Sequence, residues 1–348
     1  MGDRIDLRSD TVTLPPPGMR RAMHEAELGD DVFGEDPTVN RLEARAAEIT
    51  GKQAGLLVSS GTQGNLVAIL TQASRGDEIV VGDQSHILHY EVGGASALGG
   101  VMVRAVPNQS DGTIDPAHIQ AVIRNRRDVH HPYTTMICLE NTHNRCGGTV
   151  LDAAYMAEIG AMARANGAVL HLDGARLFNA AVALDVPLAA LAADADTLSI
   201  CASKGLAAPV GSVLCGSHEV VGRARRWRKM VGGGMRQAGV IAAGALWALD
   251  RMVDRLADDH RTARQLAEGL EGVRGIAIDP RSVRTNIVIA DVSPSGLGSQ
   301  RVVEALAAHG VLAVPFGPAL VRLVTHYGIE DAQIEVALSG IRAAFRDL

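Results

Sequence analysis

The chain has 348 residues, 47% of them hydrophobic, with 38 glycines and a formal charge of -6. That length and apolar content can bury a large core and fit two domains, and the mild acidity gives no polyanion-binding face, which argues against a nucleic-acid partner. The apolar stretch 239–247 falls well short of the roughly 18 residues a bilayer span needs, so no membrane partner is expected. The charged N-terminal residues differ from a signal-peptide core, and the four cysteines, Cys138, Cys146, Cys201 and Cys215, show no CxxC spacing. The expectation is a cytoplasmic protein with neither a disulfide framework nor a zinc knot.

In chain order, the apolar run Gly55-Leu56-Leu57-Val58 leads into Ser59-Ser60-Gly61-Thr62-Gln63-Gly64-Asn65 and a helix at 66–70. Glycines and hydroxyls at a helix N-terminus offer N–H groups and a favourable dipole to a phosphate, although a plain capped turn has the same composition. The segment lacks the GK[ST] of a Walker loop, and no Gly-x-Gly-x-x-Gly opens the first βα unit, which disfavours a nucleotide. Buried strands are predicted around Val80-Val81, 101–103, 136–139, 168–172 and 197–200. The periodic stretch 153–165 between them predicts a helix closed by Asn166-Gly167. The basic cluster 223–229 reads as an oligomer or surface feature.

Alternating strands and helices imply an α/β fold whose mostly parallel sheet places ligands beyond the C-terminal strand ends. Three successive strands end in chemistry-capable groups there: Glu140-Asn141-Thr142-His143, Asp173-Gly174-Ala175-Arg176 and Ser203-Lys204-Gly205. Lys204, one of only three lysines, follows an apolar run. Desolvation disfavours a charged amine, which makes Lys204 a candidate Schiff-base lysine as well as a candidate solvated one. Asp173, one crossover earlier, can pair with a protonated pyridine nitrogen, or can cap a helix or bridge to Arg176. Arg322, inside Ala319-Leu320-Val321-Arg322-Leu323-Val324, calls for a bidentate anion, either a substrate carboxylate or a protein acid.

Lysine, aspartate and phosphate turn occur here in the order found in pyridoxal-phosphate enzymes of the aspartate-aminotransferase fold. Segments 6–13, 29–40, 139–143, 171–176, 203–205, 232–237 and 321–326 together resemble the low-specificity L-threonine aldolases. The resemblance implies a fold-type-I, three-layer α/β/α large domain over 1–245 with a smaller C-terminal α/β domain over 246–348, the N-terminal segment contributing to the site. It implies pyridoxal 5'-phosphate held as an internal aldimine on Lys204, with Asp173 at the ring nitrogen, Arg176 beside the ring oxygen, and Gly61, Thr62 and Gln63 on the phosphate. His86 matches the residue that stacks on the ring, and His130 matches a second active-site histidine; both are candidate proton-transfer groups. Ser9 and Arg322 match the carboxylate-binding positions. Arg236 matches an arginine that reaches a neighbouring subunit's phosphate, or is an ordinary surface arginine.

The implied partner is a small amino acid, and the implied assembly is a homotetramer, a dimer of dimers with shared sites. The implied reaction is reversible retro-aldol cleavage of L-threonine or L-allo-threonine to glycine and acetaldehyde, with β-elimination or transamination as the alternative. Thr11, Thr13 and Ser203 correspond to hydroxyls around a family cation site, yet the sequence has no metal-ligand spacing and no metal is assigned. Phe33 replaces the family's usual tyrosine, and a packing role is expected for it.

Overall fold

The computed structural model describes residues 4–348. Its centre is a seven-stranded sheet made of β2 (Ala54–Val58), β3 (Glu78–Gly82), β4 (Met102–Val106), β5 (Thr134–Glu140), β6 (Val169–Gly174), β7 (Thr197–Cys201) and β8 (Ser212–Gly216), ordered β2-β8-β7-β6-β5-β3-β4. β1 (Ile5–Asp6) precedes it and pairs elsewhere. Strands β4, β3, β5, β6 and β7 run parallel, and β8 is antiparallel to both of its neighbours. The predicted strands are all present, and β8, absent from the sequence reading, closes the gap between β7 and β2.

Alternation along the strands explains the three layers. Leu57, Val80, Ile137, Leu139, Leu170 and Leu198 join one apolar cluster with Met156 and Ile159 of the helix Ala153–Ala165 and Leu42 of the helix Pro37–Thr50. Their strand neighbours Leu56, Val58, Ile79, Val81, Met136 and Cys138 face the other way, toward Val67 and Ile69 of the helix Gly61–Gln72 and Val221 of the helix His218–Met230. Both faces of the sheet are therefore covered by helices. The helix Ala153–Ala165 starts on the Asp152 cap, whose carboxylate accepts from Tyr155 N–H, and stops before Gly167 at φ 68°. That left-handed conformation suits glycine.

A second apolar cluster lies in the C-terminal region, built on β9 (Ile287–Asp291), β10 (Val311–Leu312), β11 (Val314–Pro315) and β12 (Leu320–Val324). β11, β12 and β9 form an antiparallel sheet, and β10 pairs in parallel with β1. Ile5 and Leu7 consequently belong to the C-terminal core. The expected division at residue 245 falls inside the helix Gly239–Arg251. The change of core comes within the helix Leu256–Leu270, where Leu256 joins the first cluster and Ala263 the second. A helix that bridges two cores carries apolar periodicity throughout, so composition has no step at the boundary.

The basic cluster is part of this framework. Arg228, 3% exposed, donates to the Leu57 carbonyl at 2.8 Å and to Asp31 Oδ2 at 2.6 Å, while Arg225 pairs with buried Glu43. No helix among the described residues is long and apolar enough to cross a membrane.

Candidate active site

The C-terminal ends of β5, β6 and β7 open onto a cleft of about 360 Å³ lined by Ser9, Thr11, His86, Tyr90, Asn144, Arg176, Lys204, Val314, Pro315, Phe316 and Arg322. A larger groove of about 730 Å³ between Phe178–Leu188 and Leu249–Asp254 contains none of the expected groups, and the chemistry lies in the smaller cleft. Strand direction explains the gathering, because parallel strands deliver their following residues to one rim. The small domain contributes the opposite wall through β11 and β12, paired so that Val314 faces Arg322.

Lys204 is half-buried, and its carbonyl accepts from the Thr13 hydroxyl at 3.0 Å. Lys52 by contrast spends its ammonium on the Ala193 and Ala195 carbonyls. Asp173, 3% exposed at the end of β6, accepts from the Ala175 N–H at 3.1 Å and from Asn65 Nδ2 at 2.8 Å, so it pairs with no arginine. Arg176 is instead clamped bidentately by Asp10, with both contacts at 2.7 Å. Burial alone would raise the Asp10 carboxyl. The Arg176 guanidinium and the Lys204 charge override it and hold Asp10 far below the ordinary carboxylate range.

The phosphate turn begins its helix earlier than the expected 66–70. Ser60 is the cap: its Oγ accepts from Gln63 N–H at 3.1 Å and its carbonyl from Gly64 N–H at 3.0 Å, so the amides of Gly61 and Thr62 form the first-turn donors. A Cβ on Gly61 would meet Cys201 Sγ at 2.9 Å, and one on Gly64 would meet Ser199 Oγ at 2.4 Å, so these glycines let the helix end approach β7 closely. Gln63, expected on the phosphate, also braces its own turn. Its N–H serves the cap, and its Oε1 accepts from the Ser59 N–H and hydroxyl.

His86 lines the cleft, fixed by its own N–H to Glu140 Oε2 at 2.7 Å and by Nδ1 to Glu91 Oε1 at 2.9 Å. Burial opposes its protonation, but Glu91 and Asp173 together raise its pKa. Burial pushes the Glu91 carboxyl up as well, and the nearby Asp173 charge adds to it. Arg322 donates to Asn144 Oδ1 at 2.8 Å and to the Arg8 carbonyl at 3.2 Å, with its Nε buried and unpartnered and its guanidinium 5.2 Å from the Phe316 ring centre. Among the described residues it meets no carboxylate. Ser9 sits beside it on the rim and accepts from the Thr11 hydroxyl at 2.8 Å.

Two expected residues lie away from the cleft of their own chain. His130 is exposed, in a turn whose Asp128 carboxylate accepts its N–H at 2.9 Å, and it precedes β5; the sheet therefore places it at the edge opposite Lys204. A spacing of ten residues before Glu140 spans the whole of β5, so the two residues lie at opposite ends of that strand. Arg236 is exposed and paired with Asp30 at 3.0 Å. Phe33, expected to pack, is 73% exposed. Glu140, expected at the end of β5, fixes the His86 backbone, whereas Asp10, Asn65, Tyr90, Asn144 and Phe316 take parts that the sequence reading does not give, although Asn144 could have been sought in the residues that follow β5.

The donor set fits a phosphorylated pyridine aldehyde: an amine without an acid partner among the described residues, a buried carboxylate, free helix amides and a flat imidazole share one rim. A sequence profile of the family described as β-eliminating lyase matches residues 6–294. The chain is 44% identical over 343 residues to low-specificity L-threonine aldolase 1 of Arabidopsis thaliana, covering 98% of this chain and 96% of the plant protein. It is 43% identical over 334 residues to the low specificity L-threonine aldolase of Escherichia coli strain K12, covering 96% and 97%. A solved threonine aldolase of Leishmania major superposes with a TM-score of 0.82 at 21% identity, covering 98% of this chain and 99% of that one, a likeness of fold.

Proposed function

The chain belongs to the low-specificity L-threonine aldolases, within the β-eliminating lyase family, and from that premise we propose the division of labour that follows. The reaction is pyridoxal-phosphate-dependent cleavage of L-threonine or L-allo-threonine to glycine and acetaldehyde. The observation that supports it best is the meeting of Lys204, Asp173 and the Gly61–Thr62 amides on one rim, with Arg322 on the facing wall and without a carboxylate partner among the described residues.

Lys204 Nζ is the amine that would hold the cofactor. Asp173 would hold the cofactor at its pyridine nitrogen, Arg176 at its ring oxygen and His86 at its ring face, while the first-turn amides of Gly61 and Thr62 would take its phosphate with the help of the helix dipole. Bound pyridoxal phosphate supplies a sink for the electron pair released when a bond to the substrate's Cα breaks. Arg322 and Ser9 hold the substrate carboxylate, and this anchor decides which Cα bond is presented for cleavage.

Glu91 occupies His86 Nδ1, which leaves Nε2 to take the proton of the β-hydroxyl. The Cα–Cβ bond then breaks, acetaldehyde leaves with the former hydroxyl oxygen as its carbonyl, and a proton added at Cα completes glycine. The protein works as a homotetramer in the cytoplasm, its sites shared between subunits. Arg236, exposed on its own subunit, reaches the phosphate of an adjoining subunit, and His130 serves a cleft as His130 of the partner subunit.

The test is a coupled acetaldehyde and glycine assay on L-threonine, L-allo-threonine and their D forms with added cofactor. Glycine and acetaldehyde in equal amounts from the L forms are expected. Cleavage of D forms alone, or ammonia in place of glycine, overturns the reading.

A further inference from the structure

Behind the cleft runs a line of buried polar groups that the reaction described above does not use. Asn65 is 1% exposed, on the helix whose first turn offers the phosphate amides. Its Nδ2 lies 2.8 Å from Asp173 Oδ2 and 2.8 Å from Glu91 Oε1. Its Oδ1 lies 3.1 Å from His171 Nε2, and His171 Nδ1 lies 2.9 Å from the Thr197 hydroxyl. That hydroxyl in turn accepts from Gln72 Nε2 at 2.9 Å.

Every hydrogen along this line has one consistent assignment. The carboxylates accept, so the Asn65 amide nitrogen must face them and its oxygen must face His171. His171 Nε2 therefore carries a hydrogen. Burial pushes the His171 pKa down to about 4, so the ring is neutral and its Nδ1 accepts from Thr197. The Thr197 oxygen is then free to accept from Gln72. Asn65 cannot turn over without setting its oxygen against two carboxylates.

The consequence lies at the far end. Ligand atoms of His86, Glu91 and Asp173 lie within 4.8 Å of one another, which on distance alone resembles a cation site. Asn65 supplies N–H groups to both acids there, so the cluster is read as hydrogen-bonded. Two buried carboxylates this close compete for a proton. The titratable groups facing them are His86, Lys204 and His171, with the Cys138 and Cys201 thiols buried alongside.

We propose that Asn65, aimed from behind by His171 and Thr197, is a positioning residue that holds the Asp173 carboxylate in place for the cofactor's ring nitrogen while leaving Glu91 to His86. This rests on the pyridoxal reading of the site. One amide thus separates two acids with different duties, and the helix that carries it also carries the phosphate amides. Without the amide, Asp173 loses the contact that fixes its Oδ2, and Glu91 loses the one that fixes the oxygen on His86 Nδ1.

The experiment compares wild type, Asn65→Leu and Thr197→Val as purified holoproteins without substrate. It reads the dissociation constant for pyridoxal phosphate and the pH titration of the bound cofactor's absorbance. Asn65→Leu should weaken cofactor binding about tenfold or more and move the titration midpoint by about one pH unit, the scale typical of lost outer-shell support. Thr197→Val lies two residues from the cofactor acids and should displace both readings less but in the same sense; it carries the test if Asn65→Leu does not fold. Displacement by Asn65→Leu, or by Thr197→Val where Asn65→Leu does not fold, supports the proposal. A folded Asn65→Leu protein with unchanged affinity and midpoint overturns it, as does unchanged Thr197→Val where Asn65→Leu is unavailable as folded protein. Wild type that binds no pyridoxal phosphate, or a Lys204→Ala variant that keeps the wild-type band, overturns the pyridoxal reading instead.

Discussion

Replacing Arg322 by lysine keeps a positive charge in the cleft and removes the planar fork, so it isolates what the guanidinium contributes. In the structure this group has its Nε buried without a partner, one terminal nitrogen on Asn144 and another on the Arg8 carbonyl, and its plane against Phe316. Burial lowers its pKa and the nearby Arg176 charge adds to that effect, as expected for a cation awaiting an anion. A hydrogen bond to a charged group is worth about 1.5–3 kcal/mol. Loss of one such contact to the substrate carboxylate therefore corresponds to roughly a ten- to hundredfold change in binding. The expected result is KM for L-threonine raised by that factor, with kcat falling less, in steady-state assays at saturating cofactor. Arg145→Lys is the control: its guanidinium also lies over Phe316, at 5.3 Å, but is bonded to Gln84 and Tyr90, and KM should change little. Unaltered KM in Arg322→Lys, with or without a fall in kcat, would falsify the carboxylate assignment.

Asp10→Ala should destabilise the apoprotein by about 3–5 kcal/mol, because it strands the buried Arg176 without its anion; urea denaturation checks this, and a loss below about 1 kcal/mol contradicts it. The Asp10 pKa is lowered on folding, so its contribution is present above its unfolded value near 3.8 and disappears only in strong acid, as pH falls through the folded value. His171 acts in the opposite range: its folded value of about 4 lies below the model-peptide 6.5, so the unfolded chain binds more protons and stability falls as pH drops through that window, by about 1.4 kcal/mol per pH unit. Buried His260, also held down to about 4, adds a like slope, so the comparison is between wild type and His171→Asn: urea denaturation at pH 7 and pH 5 should show the variant losing less stability on acidification. Mixing subunits of Lys204→Ala and Arg236→Ala, each inactive alone, should restore activity through hybrid sites; inactivity of a mixed assembly confirmed by mass spectrometry refutes sharing through Arg236.

Local pattern settled much of this protein. Apolar runs of strand length, separated by amphipathic helices, specify a parallel sheet, and a parallel sheet sends Glu140, Asp173 and Lys204 to one rim whatever the detailed packing. Ser60-Gly61-Thr62 specifies a helix start because capping depends on neighbours within a turn. Tertiary structure alone decided the pairings between distant segments. Asp10 and Arg176, 166 residues apart, pair because the N-terminal segment crosses to the small domain through β1 and β10 and passes the cleft on the way. Asn65 meets Asp173 across 108 residues because the helix Gly61–Gln72 lies against β6 and β7. His130 and Glu140 are neighbours in sequence and lie at opposite edges of the sheet, since a strand rises about 3.3 Å per residue. Residue type and strand end are properties of a few adjacent positions, whereas a hydrogen-bond partner is chosen by which elements the core brings side by side. That is why Lys204 and Asp173 were visible from the start, and Asn65, His171 and Thr197 only once the sheet was assembled.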